Sequence, residues 1–488
     1  MRCCVAKQHL PFNFQVACRP VIFSMEFPMP TLDLAFVCRA LNLPAPQHNL
    51  PIRRVITDSR QAAAADERGT DLFVALVGDK HDAHDFVPAV LAQGALALVS
   101  RQDCIALSGS LPVADTLAAL QTLAAAWREA VNPLVLGITG SSGKTTVKEM
   151  LAAILRRQFG EAAVLATAGN FNNHIGLPLT LLALRPQQRY AVIEMGMNHF
   201  GELDALTRIA RPDTALVNNA LRAHIGCGFD GVGDIARAKS EIYRGLPESG
   251  TALIPAEDEY AEVFRAACRA LNLRQIEFGV DKGEVHAENV RLLPLGCRFD
   301  LVWQDQRAAV ELPVPGKHNV ANAVAAAALA LQAGVGLPES AAALAGFANI
   351  KGRLQRKDGL RGSTIIDDTY NANPDSMKAA LDVLAGLPAP RIFVMGDMGE
   401  LGDGEAPALH AEIGRYARDK GIEAAYFVGD FSVEAAEAFG AAGLWFAAKD
   451  PLQQVLVHEL PEQASVLVKG SRFMQMEEVV AALQGHEA

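Results

Sequence analysis

The chain has 488 residues, of which 50% are hydrophobic and 20% are charged, a composition typical of a globular protein. The apolar content excludes disorder as the main state, and the length predicts about three domains of ordinary size. The 44 basic and 55 acidic residues give a net charge of −11, which argues against nucleic acid or an anionic membrane as the partner. We therefore expect small ligands that bind in local pockets.

The cysteine spacing and the N-terminal segment favour a cytoplasmic protein. The eight cysteines contain no CxxC pair, so neither a zinc ribbon nor a disulfide framework is predicted. Residues 320–337 form the longest apolar stretch, but they are mostly alanine and include polar side chains, which indicates a buried helix rather than a membrane span. Residues 1–28 start with a basic segment whose prolines interrupt any signal-peptide core, and we interpret them as a disordered extension.

Two segments with different patterns follow. Residues 29–112 mix the short strand patterns RVITDS, DLFVAL and ALALVS with one helix near residues 86–93, which predicts a first α/β domain. From residue 113 to residue 340 an entry helix leads into short apolar runs that alternate with helices, typical of a mostly parallel sheet covered on both faces. Residues 285–314 alternate with period two instead, which indicates a small antiparallel insert or edge.

Residues 341–488 contain a second alternating set of strands and helices, from STIIDD to SVLVKG. This order is typical of a Rossmann-like domain, in which ligands bind beyond the carboxyl ends of the strands. The sequence thus predicts an α/β protein of three domains, with the mostly parallel sheet in the central one.

The strongest single motif is a glycine-rich turn between an apolar strand, LVLGIT, and a helix that begins near Lys144. Glycines 140 and 143 let backbone amides converge on phosphate oxygens, and the helix N-terminus favours an anion. Lys144 would then bridge the β- and γ-phosphates, and the Thr145 hydroxyl would bind Mg²⁺. The residues of this phosphate loop are Gly140, Ser141, Ser142, Gly143, Lys144, Thr145 and Thr146.

The spacing departs from the usual phosphate-loop pattern, because Ile138 stands where that pattern has a glycine. A chance glycine-rich turn therefore stays open as an alternative. The loop does not by itself identify a reaction: GTPases are disfavoured because the chain has no NKxD motif, whereas a small-molecule kinase remains open.

The motifs beyond the loop resemble those of the Mur ligase family of peptidoglycan synthesis. They cover nearly the whole chain after residue 30, and in this order and spacing they are specific: TAGNFNNHIGLPLTLL, VIEMGMNHFGEL, AHIG, RAKSEIY, PGKHNVANAVAAA, KGRLQR, IIDDTYNANPDSM, VMGDMGELG and LVKGSR. The resemblance implies a nucleotide-sugar domain at the N-terminus, a central ATPase domain and a C-terminal Rossmann-like domain.

Within the family, the ITDSR and YNANPDS stretches resemble the members that extend the peptide late, and no DNPR-like stretch is present. The resemblance implies UDP-N-acetylmuramoyl-tripeptide and D-alanyl-D-alanine as substrates, with ATP and Mg²⁺ as cofactors and a monomer as the working form. The third residue of the tripeptide, lysine or diaminopimelate, stays open. A metabolite kinase and an ATP-gated binding protein are the alternatives.

The reaction implied is activation of a carboxylate by ATP to an acyl phosphate, followed by attack of an amine. Because two anions must approach each other, the site has to supply Mg²⁺ and positive groups. The resemblance assigns Glu194, at the tip of the strand YAVIE, and His224, in AHIG, to the metal. Without it, Glu194 would equally be a solvated carboxylate and His224 a hydrogen-bonded structural residue. The CGFDG stretch after His224 departs from the pattern we expect.

The resemblance also assigns residues to the nucleotide. Asn319 and Asn322, at the start of the alanine-rich helix, would lie at the nucleotide, although Asn319 would serve equally well as a helix cap. Arg353 lies in the link between the second and third domains, where its guanidinium would reach the γ-phosphate when the domains close. Asp368 and Asn371 would hold the ribose or adenine.

The resemblance assigns two further groups to the substrates. Ser59 and Arg60, within TDSR, would contact the uridine diphosphate, although an arginine after a strand is commonly only a surface residue. The expected contacts of the muramoyl peptide and the dipeptide are Asn172, Asn173, Lys469, Ser471 and Arg472.

Helix geometry singles out Lys239 before any resemblance is considered. At about 100° per residue it lies about 40° from Ile235, on the apolar face of DIARAKSEIYRGL, where an ammonium is costly to bury. Glu241 falls on the opposite, polar side. The stem of Lys239 would then lie along the core with its head reaching solvent. The resemblance implies a sharper role, because the matching lysine of Mur ligases is commonly carbamylated. The carbamate of Lys239 would join Glu194 and His224 around Mg²⁺.

Overall fold

The computed structural model describes residues 29–485 except residues 67, 224, 227, 349 and 403. The extension predicted for residues 1–28 and the candidate ligand His224 therefore lie outside the described residues. Within the described chain, the strands form three sheets that follow one another in sequence. No helix of this part is long and apolar enough to cross a membrane.

The first sheet is parallel throughout, in the order β1-β2-β3-β4. Its strands are β1 Ile52–Ile56, β2 Thr70–Val74, β3 Leu96–Val99 and β4 Ser110–Pro112. The helices around it are α1 Leu34–Ala40, α2 Val87–Ala92, α3 Gln102–Ile105 and α4 Thr116–Val131. Helix α4 packs against both the first sheet and the helices of the next, so residues of both contribute to one hydrophobic core.

The second sheet has the order β13-β12-β11-β10-β9-β8-β5-β7-β6. Its strands are β5 Leu134–Thr139, β6 Val164–Ala166, β7 Tyr190–Glu194, β8 Thr214–Val217, β9 Thr251–Pro255, β10 Arg274–Gly279, β11 Val285–Leu293, β12 Gly296–Trp303 and β13 Gln306–Leu312. The predicted antiparallel insert is β11 to β13, which pair antiparallel at one edge, whereas the other strands pair parallel.

Helices cover both faces of the second sheet. They are α5 Lys144–Phe159, α6 Gly176–Leu182, α7 Glu202–Ala210, α8 Val232–Ser240, α9 Ala261–Ala270, α10 Lys317–Gln332 and α11 Leu337–Ala345. Successive side chains of β5 point to opposite faces: Leu136 and Ile138 enter the core that includes α5 and α10, and Val135 enters the core that includes α4. This burial on both faces explains why the strand is apolar up to its last residue, Thr139.

The third sheet has the order β14-β15-β19-β16-β17-β18, with only β14 antiparallel to its neighbour among the described strands. Its strands are β14 Gln355–Asp358, β15 Thr364–Asp368, β16 Arg391–Gly396, β17 Ala424–Val428, β18 Gly443–Phe446 and β19 Ser465–Lys469. Its helices are α12 Pro374–Ala385, α13 Ala406–Asp419, α14 Ser432–Phe439, α15 Lys449–Glu459 and α16 Glu477–Leu483.

The predicted α/β class and the mostly parallel central sheet are confirmed. Each doubly covered sheet directs the carboxyl ends of its parallel strands to one edge, and loops at that edge are where ligands bind in such folds. The second and third sheets turn these edges toward each other, because residues that follow β5, β7, β8, β15, β16 and β19 line one cavity.

Candidate active site

The shared cavity has a volume of about 1050 Å³. Its second-sheet side includes the phosphate loop, Glu194 and Asn172, and its third-sheet side includes Asp368 and Lys469. The predicted site residues that line it are Ser141, Ser142, Gly143, Lys144, Thr145, Thr146, Asn172, Asn173, Glu194, Asn319, Asn322, Arg353, Asp368, Asn371, Lys469 and Arg472.

The phosphate loop requires glycine at two positions. Gly143 has φ +81°, and a Cβ there would lie 2.4 Å from Asn322 Oδ1 and 2.6 Å from Asn218 Nδ2. Gly140 has φ +155°, and its Cβ would lie 2.9 Å from that of Asn218. The backbone therefore approaches its neighbours more closely than a side chain permits. The Ser141 and Ser142 amides donate to Asn219, at 3.1 and 2.9 Å.

Lys144 curls back over the loop, where its Nζ donates a hydrogen bond of 2.6 Å to the Gly140 carbonyl. Burial lowers the pKa of Lys144; the carboxylate of Glu194 raises it and the charge of Arg353 lowers it further. The carboxylate of Glu400 also raises this pKa, to a smaller extent. A buried ammonium that donates to the carbonyls of its own loop is suited to receiving phosphate oxygens.

Thr145 and Glu194 lie side by side. The Thr145 hydroxyl donates to Glu194 Oε2 at 3.0 Å and accepts from Arg353 Nη2 at 2.8 Å, and Asn172 Nδ2 donates to Glu194 Oε1 at 2.8 Å. Glu194 is only 2% exposed. A buried carboxylate held by neutral donors, next to a hydroxyl, is the oxygen set that suits Mg²⁺ in a nucleotide site.

The described residues contain no group of three or more His, Cys, Asp and Glu side chains that would hold a metal. Mg²⁺ commonly takes one or two protein oxygens and completes its shell with phosphates and water. Thr145 and Glu194 supply two such oxygens on their own.

Asn319 and Asn322 lie at the start of α10, as predicted, next to the phosphate loop. Helix α10 is capped by Gly316, so the alternative reading of Asn319 as its cap does not hold. Asn322 Nδ2 donates to Asn319 Oδ1 at 3.1 Å, and Asn322 Oδ1 accepts from Asn218 Nδ2 at 3.0 Å. These amides connect the loop to the helix behind it.

Asp368 and Lys469, which the sequence assigned to different ligands, form an ion pair at 2.5 Å. Asp368 also accepts from the Leu354 amide at 3.0 Å, and Lys469 donates to the Asn371 carbonyl at 2.9 Å. Ser471 accepts from the Gly399 amide at 2.7 Å. The structure therefore brings these residues together at the third-sheet edge, where Lys469 shares its charge with a carboxylate.

Lys239 lies on the buried face of α8, as the helical period predicts, and it is 2% exposed. Burial, and then the charge of Lys144, lowers its pKa well below the ordinary value. Two details differ from the prediction. The head of Lys239 is buried instead of reaching solvent, and a 3₁₀ helix replaces the α-helix from Glu241. Glu241, expected on the polar side, is buried and accepts the Gly201 amide at 2.9 Å, which caps α7.

The predicted uridine contacts do not line the cavity. Ser59 and Arg60 lie in a short 3₁₀ helix after β1, and the Arg60 side chain is 88% exposed and pairs with Asp58 at 2.7 Å. Asn173, on the cavity wall, accepts the Gly176 amide at 2.8 Å and so fixes the start of α6. The Asn173 side-chain oxygen is thus already hydrogen-bonded within the turn.

Sequence reasoning missed several residues that shape the site. Asn219 accepts from the Ser142 amide at 2.9 Å, and Asn373, the cap of α12, donates to the Ser142 hydroxyl at 2.9 Å. Lys148 is completely buried and donates to the Thr167 carbonyl at 2.6 Å. Two sequence features could have identified such residues: the pair of asparagines directly after a buried strand, and the lysine one helical turn after Lys144.

The fold and the cavity define a class of protein: a phosphate-loop nucleotide-binding α/β protein whose site is completed by a second α/β unit. Residues 138–330 match the Mur ligase middle domain, and residues 352–472 match the Mur ligase, glutamate ligase domain. The chain belongs to the Mur ligase family.

Individual relatives cover nearly the whole chain. The UDP-N-acetylmuramoyl-tripeptide–D-alanyl-D-alanine ligase of Escherichia coli is 42% identical over 439 residues, which are 89% of this chain and 94% of that protein. The enzyme of that name from Haemophilus influenzae is 40% identical over 444 residues, with the same two coverages. The crystal structure of MurF from Acinetobacter baumannii gives a TM-score of 0.85 at 38% identity and covers 94% of this chain and all of that one.

Proposed function

We propose that this protein is an ATP-dependent ligase that joins D-alanyl-D-alanine to UDP-N-acetylmuramoyl-tripeptide through an acyl phosphate, in peptidoglycan precursor synthesis. The observation that carries the proposal is the contact between Thr145, Glu194 and Arg353 beside Lys144, where two sheet edges meet. Relatives at 40% and 42% identity bear the name of this activity. The site combines positive groups, an oxygen donor set for a cation, and room for two anions.

The side chains have distinct roles in this proposal. Lys144 neutralises charge on the phosphoryl group that moves from ATP to the carboxylate, and the amides of the phosphate loop hold the remaining phosphates. Arg353, from the third-sheet side, reaches the γ-phosphate once nucleotide is bound. Thr145 and Glu194, with His224, would hold Mg²⁺, which would screen the approaching anions. The amine of the dipeptide then attacks the acyl carbon, the amide bond forms and phosphate leaves.

Lys239 acts as a carbamate in this proposal. Its burial and its proximity to Lys144 favour the neutral amine, which reacts with carbon dioxide to form an N–C bond and release one proton. The product is a carboxylate at a buried position, where a second cation beside Lys144 is unfavourable. This anion would complete the Mg²⁺ ligands with Glu194 and His224.

We assign the remaining residues to ligands as follows. The residues proposed for the nucleotide are Asn319, Asn322, Asp368 and Asn371, and those proposed for the UDP-sugar, its peptide and the dipeptide are Ser59, Arg60, Asn172, Asn173, Lys469, Ser471 and Arg472. The proposed domain limits are residues 29–112, 113–340 and 341–488, each of which encloses one sheet. We propose that the protein works as a monomer in the cytoplasm.

The substrate requirement tests the function. Phosphate release is expected only when ATP, Mg²⁺, UDP-N-acetylmuramoyl-tripeptide and D-alanyl-D-alanine are all present, because the acyl phosphate needs both a carboxylate and an amine to turn over. A phosphate-release assay that omits one component at a time measures this. Rapid release without the dipeptide would indicate a kinase or ATPase, and ATP binding with no turnover would indicate a binding protein. A panel with lysine- and diaminopimelate-containing tripeptides identifies the third residue.

Arg353 provides a second test. Arg353→Ala is expected to lower kcat by about 10²-fold, because a charged donor to the transferred phosphoryl group is lost. Binding of the UDP-sugar, measured calorimetrically without ATP, is expected to remain unchanged. Arg356→Ala is a matched control, since Arg356 lies three residues further along, half exposed and paired with Asp358. Equal kcat values for the two variants would contradict the role of Arg353.

A further inference from the structure

Arg222 joins the second-sheet unit to the third-sheet unit through two carboxylates. It lies in the loop after β8, and its backbone amide donates to Asp375 Oδ2 at 2.9 Å. Its guanidinium donates to Asp375 Oδ1 at 2.6 Å and to Glu412 Oε2 at 2.9 Å. Lys378 forms an ion pair with Glu412 as well, so two cations and two anions form one cluster.

The helices that carry these carboxylates also shape the site. Asp375 lies in the first turn of α12, and the cap of that helix, Asn373, donates to the Ser142 hydroxyl of the phosphate loop. Glu412 lies in α13, which packs on α12. Arg222 therefore touches both helices at the point where α12 meets the nucleotide-binding loop.

The charged side chains of this cluster are partly buried, so the loss of one ion pair should have a measurable effect. The side chains of Arg222, Asp375 and Glu412 are 26%, 25% and 28% exposed, so they lie between a surface pair and a buried one. Burial raises the pKa of Glu412, but hydrogen bonds from Arg222 and Lys378 outweigh it and leave the pKa below its ordinary value. Glu412 is thus charged at neutral pH, and salt will screen its attraction to Arg222.

We propose that Arg222 is a positioning residue that holds α12 and α13 against the phosphate loop and so raises the affinity of the site for nucleotide. The cluster favours the arrangement in which Asn373 and Arg353 reach the loop, and it acts through ion pairs rather than through contact with the ligand. This inference concerns nucleotide binding, so it does not depend on which acceptor the protein uses.

The test measures binding of a fluorescent ATP analogue to the full chain over a series of salt concentrations. Arg222→Gln is expected to weaken nucleotide binding by about threefold to tenfold at low salt and to reduce its salt dependence. Arg222→Lys should restore part of the affinity, because the charge returns without the bidentate geometry. Arg418→Gln is the matched control, since Arg418 lies exposed on α13 and pairs with Asp419.

A double-mutant cycle with Glu412→Gln separates positioning from general destabilisation. The two substitutions should weaken binding less together than the product of their separate effects, because each removes the same ion pair. Thermal melts of every variant identify any loss of folding, and Glu412→Gln alone serves if Arg222→Gln does not fold. Unchanged affinity and salt dependence in Arg222→Gln, or fully independent effects in the cycle, would overturn the proposal. Neither outcome would bear on the substrate requirement.

Discussion

Lys144→Ala is expected to lower kcat by about 10³-fold or more while leaving the protein folded. The ammonium is the charge of the phosphate loop that the transferred phosphoryl group meets, and electrostatic stabilisation of developing charge is commonly the largest single contribution to such catalysis. In the structure its Nζ contacts backbone carbonyls of the loop, so alanine removes the charge without disturbing a packed core.

Phosphate release under saturating substrates measures the loss, and circular dichroism with a thermal melt verifies folding. Lys420→Ala is the matched control, because Lys420 lies at the far end of α13 and pairs with Asp382 on the surface. Near-normal turnover in a folded Lys144→Ala protein would show that the phosphate loop is not the catalytic site. Lost turnover in both variants would indicate a defect in the preparation instead.

The phosphate loop was predictable from sequence because its parts are contiguous. A buried strand, a turn with two glycines at positive φ, and a helix that begins at Lys144 follow one another within about a dozen residues. Local sequence fixes such a unit, because each step depends on neighbours along the chain. The helical period likewise placed Lys239 on the buried face of α8.

Contacts between distant segments were not predictable. Asp368 and Lys469 lie at the same register position of β15 and β19, neighbouring strands that are 101 residues apart in sequence. The order of strands in a sheet depends on packing between segments far apart in the chain, so this pairing of two charges could not be read from either segment alone. The same holds for Arg222 and Asp375, which are 153 residues apart.

Glu241 shows a third kind of limit. The helical period placed it on the polar side, but the chain tightens to a 3₁₀ helix at that residue, which rotates the following side chains. The carboxylate turns inward because the first amides of α7 need an acceptor, and it takes those of Gly201 and Asp204. The need of the α7 N-terminus for a hydrogen-bond acceptor thus outweighs the hydrophobic period of the segment that begins with α8.

Lys239→Ala is expected to fold but to lose nearly all turnover, by about 10²-fold or more, because the proposed carbamate supplies negative charge beside the reacting phosphoryl group. The structure buries this amine on the apolar face of α8 and lowers its pKa through burial and the charge of Lys144. Both effects favour the neutral amine, which is the form that attacks carbon dioxide. Arg237→Ala, two residues earlier on the exposed side of α8, is the matched control.

Added short carboxylates such as formate or acetate should restore part of the activity of Lys239→Ala, since a free anion can occupy the place of the carbamate once the side chain is shortened. The same additions should not raise the activity of Arg237→Ala or of the unaltered protein. Carbon-13 bicarbonate labelling should give a carbamate resonance in the unaltered protein that is missing from Lys239→Ala. A fully active Lys239→Ala protein, or a labelled protein that is active yet shows no such resonance, would refute the carbamate. If carboxylates restore the activity of Lys239→Ala but the unaltered protein shows no carbamate resonance, Lys239 is not carbamylated. That result would also overturn the proposal.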